Sequence, residues 1–331
     1  MAGFEKSIDG KKVLVTGGTG SFGHQVTSML LEHGPEEIII FSRDENKQHH
    51  MRSEYNSPKL KFVIGDVRDY ERVKEVTKNV DIIFHAAALK HVPYCEFHPY
   101  EAFKTNVVGA HNVKRAAIEN DVQRLIAIST DKAVKPVNAM GMSKAMQEKL
   151  LLNNNGKESN TVISCVRYGN VIGSRGSVMP LFESKVKAGQ PLPITSAKMT
   201  RFMLTLPQAI NLVFYALQNA NGGEIFVKKA PACRMVDFAQ AYAEAITGKA
   251  GYPLEVVGVR PGEKIHEVLV AREEMHRAKE ADDYFIIEPY KSFYTPVSEN
   301  TDNAEEYGSN TTVQMPKQDI LKLLKETKWI D

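Results

Sequence analysis

From residue 12 onward the chain alternates short apolar, β-branched runs with longer amphipathic stretches. Seven runs read as strands: KVLVTG (12–17), EIIIFS (37–42), KFVIGD (61–66), VDIIFHAA (80–87), RLIAIST (124–130), TVISCVRYG (161–169) and GEIFVK (223–228). Most are apolar at successive positions rather than at every second one, the mark of strands covered on both faces. Intervening segments such as HQVTSMLLEHG and AHNVKRAAIEND read as amphipathic helices lying on a sheet. The pattern predicts an α/β fold of Rossmann type, a doubly wound parallel sheet with helices on both faces. After Asn170 the text loosens, with prolines at 180, 191, 193, 207, 231, 253 and 261. A first domain is therefore expected over 1–170 and a smaller C-terminal one over 171–331, with the segment near 205–230 returning to the first. NNNG at 153–156 reads as a loop.

The first strand runs directly into TGGTGSFG, residues 16–23. Gly17 suits a tight turn, Gly20 lets backbone approach a pyrophosphate, and Gly23 lets the following helix pack on the strand. Thr19, Ser21 and Phe22 complete this cradle, and the helix N-terminus offers unpaired N–H groups to an anion. Three glycines alone are a weak signal; their place in the first βαβ unit makes them a dinucleotide fingerprint. The second strand ends in FSRDE. An NAD site wants an acid here for the ribose, whereas Ser42 and Arg43 come first and a guanidinium suits a 2′-phosphate. NADP is the cofactor expected, the alternative being that Asp44 reaches the ribose and Arg43 is a solvated charge. Asp66, followed by Val67, is a candidate for the adenine amine, and Ala86, Ala87 and Ala88 are small enough to lie under the cofactor.

Composition narrows the setting. A net charge of +2 gives no global pull toward nucleic acid or membrane. The three cysteines, Cys95, Cys165 and Cys233, are isolated, which argues against a zinc site or a disulfide framework and for a reducing compartment. No apolar run approaches the ~20 residues of a membrane span, so a cytoplasmic protein is expected. His91, His98 and His266 lack metal-ligand spacing with acidic partners, and no metal is expected.

Several stretches occur in order over residues 41–267: FSRDENKQ, GDVRD, HAAALKHVP, TNVVGAHNV, STDKAVKPVNAMGMSK, RYGNVIGSRGSV, MTRF and VRPGEKIHE. Together they resemble the bacterial UDP-N-acetylglucosamine 4,6-dehydratases, in the polysaccharide-biosynthesis branch of the extended short-chain dehydrogenase/reductase superfamily. The resemblance is to the soluble form, with methionine where the superfamily keeps a tyrosine four residues before a lysine. Here those positions are Met140 and Lys144. A thioether has no exchangeable proton and cannot do a phenol's work.

The resemblance implies that the Asp-Lys pair after Thr130 carries the elimination, giving roles to Asp131 and Lys132. Oxidation at C4 acidifies the C5 proton. Lys132 is the expected C5 base if burial and nearby cations depress its pKa, and Asp131 serves C6. Asp131 is also the candidate for the O4 proton, directly or through Thr130 or a water. Lys144 is expected to hold the nicotinamide ribose. Asn170, Arg201 and Arg260 are candidate contacts to the UDP-sugar, with Lys90 and Glu263 lining the pocket. C5 stays open between inversion and retention, with inversion slightly favoured. A UDP-sugar C4 epimerase and a decayed NADP-binding sensor are the competing readings. The family also implies a homo-oligomer, dimers joined into hexamers, for which TNVVGAHNVKRAAIE offers an apolar helix.

Overall fold

A computed structural model describes residues 5–153, 159–174, 176–290 and 304–331, so most of the NNNG stretch lies outside the described residues. Six parallel strands follow the predicted runs to within a residue or two: β1 (Lys12–Thr16), β2 (Glu37–Ser42), β3 (Leu60–Ile64), β4 (Ile82–His85), β5 (Arg124–Ile128) and β6 (Val162–Arg167). They stand in the order β3-β2-β1-β4-β5-β6, and strand Ile225–Lys228 pairs parallel to β6. This is the Rossmann arrangement, and the reversal between β1 and β4 opens a crevice at the strands' carboxyl ends.

The continuous apolar runs have a direct cause. Leu14, Ile83, Leu125 and Ala127 face one core with Val73, Val113, Ala117 and Leu151. Val13, Val15, Ile82, Phe84 and Ile126 face the other with Val26, Leu30, Val213, Phe214 and Leu217. Neither face meets water, so neither face needs polar residues.

Two features depart from the expected organisation. Helix Leu206–Asn219 and strand Ile225–Lys228 do lie on and in the main sheet, but a hairpin, Ala278–Ala281 with Tyr284–Ile287, extends it by two more antiparallel strands. Text assigned wholly to the second domain thus completes the first. The second domain has its own core, built on Phe182, Leu192, Phe238, Tyr242, Ile320 and Leu324. The other departure concerns TNVVGAHNVKRAAIE. Its Val107, Ala110, Val113, Ala116 and Ala117 are 3% exposed or less, sunk in this chain's own core, while Val108 and Ile118 stand exposed on the same stretch. The large apolar side chains left exposed nearby are Tyr94, Phe97, Tyr100, Phe103, Met142 and Met146. Among the described residues no helix is long and apolar enough to cross a membrane.

Candidate active site

The carboxyl end of β1 turns through Gly17, at φ +67°, where a Cβ would stand 2.8 Å from Ala87 backbone. At Gly23 a Cβ would fall 1.9 Å from the Gly18 carbonyl oxygen, so helix Ser21–Leu31 packs against the loop only because that position is glycine. Gly20 is the N-cap and makes no side-chain cap, so the helix presents its N-terminal end to the cleft. The cleft beside this turn has a volume of about 530 Å³, and its lining includes Gly17, Thr19, Ser42, Arg43, Asp66, Val67, Ala87 and Ala88. Those residues come from four separate stretches of sequence. Thr105 also lines the cleft, its hydroxyl buried without a hydrogen-bond partner. The cradle, the helix end and the orphaned hydroxyl fit a dinucleotide.

At the mouth, Asp44 caps helix Glu45–Tyr55: its Oδ1 accepts the Lys47 N–H at 2.9 Å and its Oδ2 lies 2.6 Å from Lys47 Nζ. That carboxylate is committed to its own helix. Arg43 is half exposed, with Nη1 3.5 Å from Asp66 Oδ2. Burial would raise the Asp66 pKa, but Arg68, donating through Nε at 2.8 Å and Nη2 at 2.6 Å, and the Arg43 charge hold it below its usual range.

Past β5, Thr130 caps a single 3₁₀ turn, Asp131–Ala133. The Thr130 hydroxyl donates to Asp131 Oδ1 at 2.9 Å, and Lys132 Nζ donates to the same oxygen at 2.9 Å. Asp131 is 1% exposed, and its Oδ2 has no hydrogen-bond partner. Lys132 Nζ also lies 3.4 Å from Glu267 Oε1. Burial pulls the Lys132 pKa down, yet the charges of Asp131 and Glu267 outweigh it, and the net shift is upward. The depression expected of Lys132 from its sequence setting is therefore reversed in the structure. Two anions face the ammonium, and the second of them is 135 residues away in sequence, as 267 minus 132 gives.

Helix Ala139–Leu152 closes the site from behind. Its N-cap Asn138 accepts the Gly141 N–H and donates to the Gly262 carbonyl at 2.7 Å, tying the PGEK loop to the helix. A Cβ on Gly141 would sit 2.3 Å from the Lys132 carbonyl oxygen, so the helix reaches the Asp-Lys turn only through this glycine. Met140 is 4% exposed and packs with Cys95, Ala102, Leu89 and Val92 in a small apolar cluster. It packs helix Ala139–Leu152 against the segment that carries Val92 and Cys95. Lys144 Nζ donates to the Ile128 carbonyl at 2.6 Å and to Gln147 Oε1 at 2.7 Å, and burial pushes its pKa down to about 8.

The substrate-side residues divide. Asn170, beyond β6, and Lys90, in the loop after β4, are exposed. Arg260 is also exposed, with Nη1 3.9 Å from Glu263 Oε1 in the same loop. Arg201 is turned inward, contrary to the clamp expected of it: Nη1 donates to the Thr200 and Ile265 carbonyls and Nη2 to that of Lys264. Those bonds make it a brace for the segment that delivers Glu267. His266 Nδ1 is 2.8 Å from the Thr200 hydroxyl, a structural bond.

Three further residues around the site are not singled out by the sequence, although each lies in a stretch that carries the resemblance. Glu267 is one. Asn106, in a π-helical turn over Phe103–Val108, clamps both polar backbone groups of Leu89 and donates to Ser143 Oγ at 2.9 Å. Arg167, the last residue of β6, is buried in a network with the buried Glu148 and the partly exposed Glu274, where Glu148 also accepts from Ser129, the neighbour of Thr130.

The family described as "Polysaccharide biosynthesis protein" matches residues 13–289. The chain belongs to that family. A protein of Rickettsia conorii named UDP-glucose 4-epimerase is 45% identical over 326 residues, 95% of either chain. The X-ray structure of Pen from Bacillus thuringiensis is 35% identical, with a TM-score of 0.89, covering 98% of this chain and 99% of that one. A dTDP-glucose 4,6-dehydratase from Streptomyces venezuelae, solved with NAD bound, shares the fold at 21% identity and a TM-score of 0.69, covering 77% of this chain and 86% of its own. The family's relatives thus include a protein named UDP-glucose 4-epimerase, and the fold is shared with a dTDP-glucose 4,6-dehydratase.

Proposed function

We propose that the chain is a UDP-N-acetylglucosamine 4,6-dehydratase that uses NADP and forms a UDP-2-acetamido-2,6-dideoxy-4-hexulose, with inversion at C5 slightly favoured. The observation that carries this reading is the Asp131–Lys132 ion pair at the carboxyl end of β5, its acid buried and its ammonium partly exposed, while Met140 is packed away from it. Two proton-transfer groups of opposite charge stand where the tyrosine's work has to be done. The nicotinamide, when bound, supplies hydride chemistry at C4 and C6. Asp131, through its unpartnered Oδ2, accepts the O4 proton and passes it to the departing C6 hydroxyl, which leaves as water. Lys132 serves C5, removing a proton and returning one. Lys144 holds the nicotinamide ribose, and Asn170, Lys90, Arg260 and Glu263 meet the UDP-sugar, with Arg201 acting on it through the loop it braces. The exposed aromatic and methionine side chains around Tyr94 and Met142 are the surface a homo-oligomer would cover.

A second reading, a UDP-sugar C4 epimerase, is favoured by the name of the Rickettsia relative. Epimerisation needs only one proton moved at O4 and leaves Lys132 without a task. Incubation with UDP-N-acetylglucosamine followed by mass spectrometry separates them. A dehydratase yields a product lighter by one water, an epimerase an isomer of unchanged mass, and recovery of the isomer alone removes the dehydratase.

Two further outcomes are expected. Arg43→Glu weakens NADP binding by about 1.5–3 kcal/mol, a charge-assisted bond's worth, in a fluorescence titration of the cofactor. Binding of NAD changes much less, and equal losses for both cofactors would remove the 2′-phosphate contact. Met140→Ala keeps most of the turnover but costs about 2 kcal/mol or more of stability, because it opens a cavity in an apolar cluster. Met140→Leu preserves both. Assays of kcat beside thermal melts check the pair.

A further inference from the structure

Glu267 is a buried acid that the reaction as described does not use. It is 2% exposed and sits among three cations: Lys132 Nζ at 3.4 Å and Arg201 Nε at 4.0 Å from Oε1, and Lys264 Nζ at 3.1 Å from Oε2. Its own position is fixed from the far side of the molecule. Its backbone N–H donates to Ser309 Oγ at 2.9 Å and its carbonyl accepts from the Ser309 N–H at 2.7 Å. Lys264 in turn donates to the Val134 carbonyl at 2.8 Å, one residue beyond the Asp131–Ala133 turn. A buried carboxylate so placed is there for the charges it meets, since unpaired burial is costly.

We propose that Glu267 is a positioning residue for Lys132, an anchor that holds its ammonium opposite Asp131 and sets how readily it gives up a proton. The groups facing Lys132 are Asp131 on its own turn, Glu267 from the C-terminal segment and Arg201 from strand Thr200–Leu204; Lys264 acts on it through Glu267. With both carboxylates ionised the amine stays charged and cannot act as a base. When Asp131 takes up the O4 proton, Lys132 loses one of its two anions and releases a proton to solvent through its exposed fifth. The amine then takes the C5 proton and returns one, and it is recharged once Asp131 has given its proton to the C6 hydroxyl. Glu267 keeps the amine in place during the neutral interval. This catalytic consequence rests on the dehydratase reading; the anchoring does not.

The test is competitive acetylation of the full-length protein with acetic anhydride across a pH range. Labelling at Lys132 is read by peptide mass spectrometry and normalised to the exposed Lys187. In Glu267→Gln, loss of an opposite charge within about 4–6 Å raises the labelling rate at pH 8 about tenfold or more. In Lys264→Met the effect has the opposite sign. Glu267 then has one cation fewer to satisfy, and Lys132 labels more slowly than in the wild type. Both variants labelling faster would mean a loosened fold and would overturn the proposal, as would unchanged rates in both. If Glu267→Gln does not fold, slower labelling in Lys264→Met supports the anchor and an unchanged rate overturns it. With active enzyme, the acid limb of kcat in Glu267→Gln moves to lower pH, whereas a structural role would lower kcat equally at every pH. Altered labelling with no dehydrated product from the wild type would sink the dehydratase reading and leave the anchor standing.

Discussion

Asp131→Asn and Lys132→Ala are each expected to lower dehydrated-product formation by about two to four orders of magnitude, the range for loss of a positioned acid or base. The two losses differ in kind. The asparagine cannot accept the O4 proton, so its variant stalls before oxidation. The alanine variant keeps Asp131 and still oxidises C4, so nicotinamide absorbance rises on addition of substrate without loss of water. Wild-type turnover in deuterated water places solvent deuterium at C5, and coupling constants of the fresh product show on which face. Lys132→Ala also leaves the buried Asp131 and Glu267 carboxylates with one cation fewer, so both variants are assayed well below their own melting temperatures. An active Asp131→Asn, Lys132→Ala double variant would refute the mechanism outright.

The second large effect lies outside the chemistry. Arg167→Met is expected to destabilise the protein by about 3–5 kcal/mol, because it strands buried acids. The guanidinium is 4% exposed and donates to Glu148 at 2.8 and 2.6 Å, to Glu274 at 2.7 and 2.9 Å, and to the Leu269 carbonyl at 3.2 Å. The acids hold its pKa well above the ordinary arginine value despite burial that pulls the other way. Thermal melting should fall by roughly 5–10 °C for a chain of this size. Combining Arg167→Met with Glu148→Gln and Glu274→Gln should recover part of that loss, since fewer buried charges are left unpaired. A single variant melting within a degree of wild type would show that the network carries little stability. Because Glu148 also accepts from Ser129, the same variant should loosen the approach to Thr130 and reduce turnover below the melting range.

The main sheet was legible in the sequence because its cause is local. A strand covered on both faces must be apolar at every position, and the runs around Leu14, Ile83 and Ile126 say so without any partner in view. The glycine cradle was legible for a similar reason: Gly17 and Gly23 stand where a Cβ would strike backbone, and no other residue fits. The hairpin Ala278–Ile287 was not. A pair of short edge strands carries little periodicity, and nothing in its text names the strand it will join. The apolar helix after Asn106 was legible as apolar but not in which face is covered, since a buried face and a face for a second copy are written with the same residues: Val113 and Ala117 are buried, Val108 and Ile118 exposed.

At the site, the sequence by itself determined that Asp131 and Lys132 stand together, because they are neighbours on one turn at the end of a strand whose place is fixed by its own pattern; the roles proposed for them come from the resemblance. It also determined that Met140 cannot carry a proton, a matter of side-chain chemistry alone. The tertiary structure decided the direction in which the Lys132 pKa is shifted. Lys132 reads as a depressed base when only burial and neighbouring cations are considered, and it is held charged because Glu267 arrives from the far end of the chain. It decided the role of Arg201 too, whose donors are taken by carbonyls more than sixty residues away. Electrostatic interactions act through space, between groups whose separation in sequence says nothing of their separation in the fold, and so the chemistry's residues can be read along the chain while their ionisation cannot.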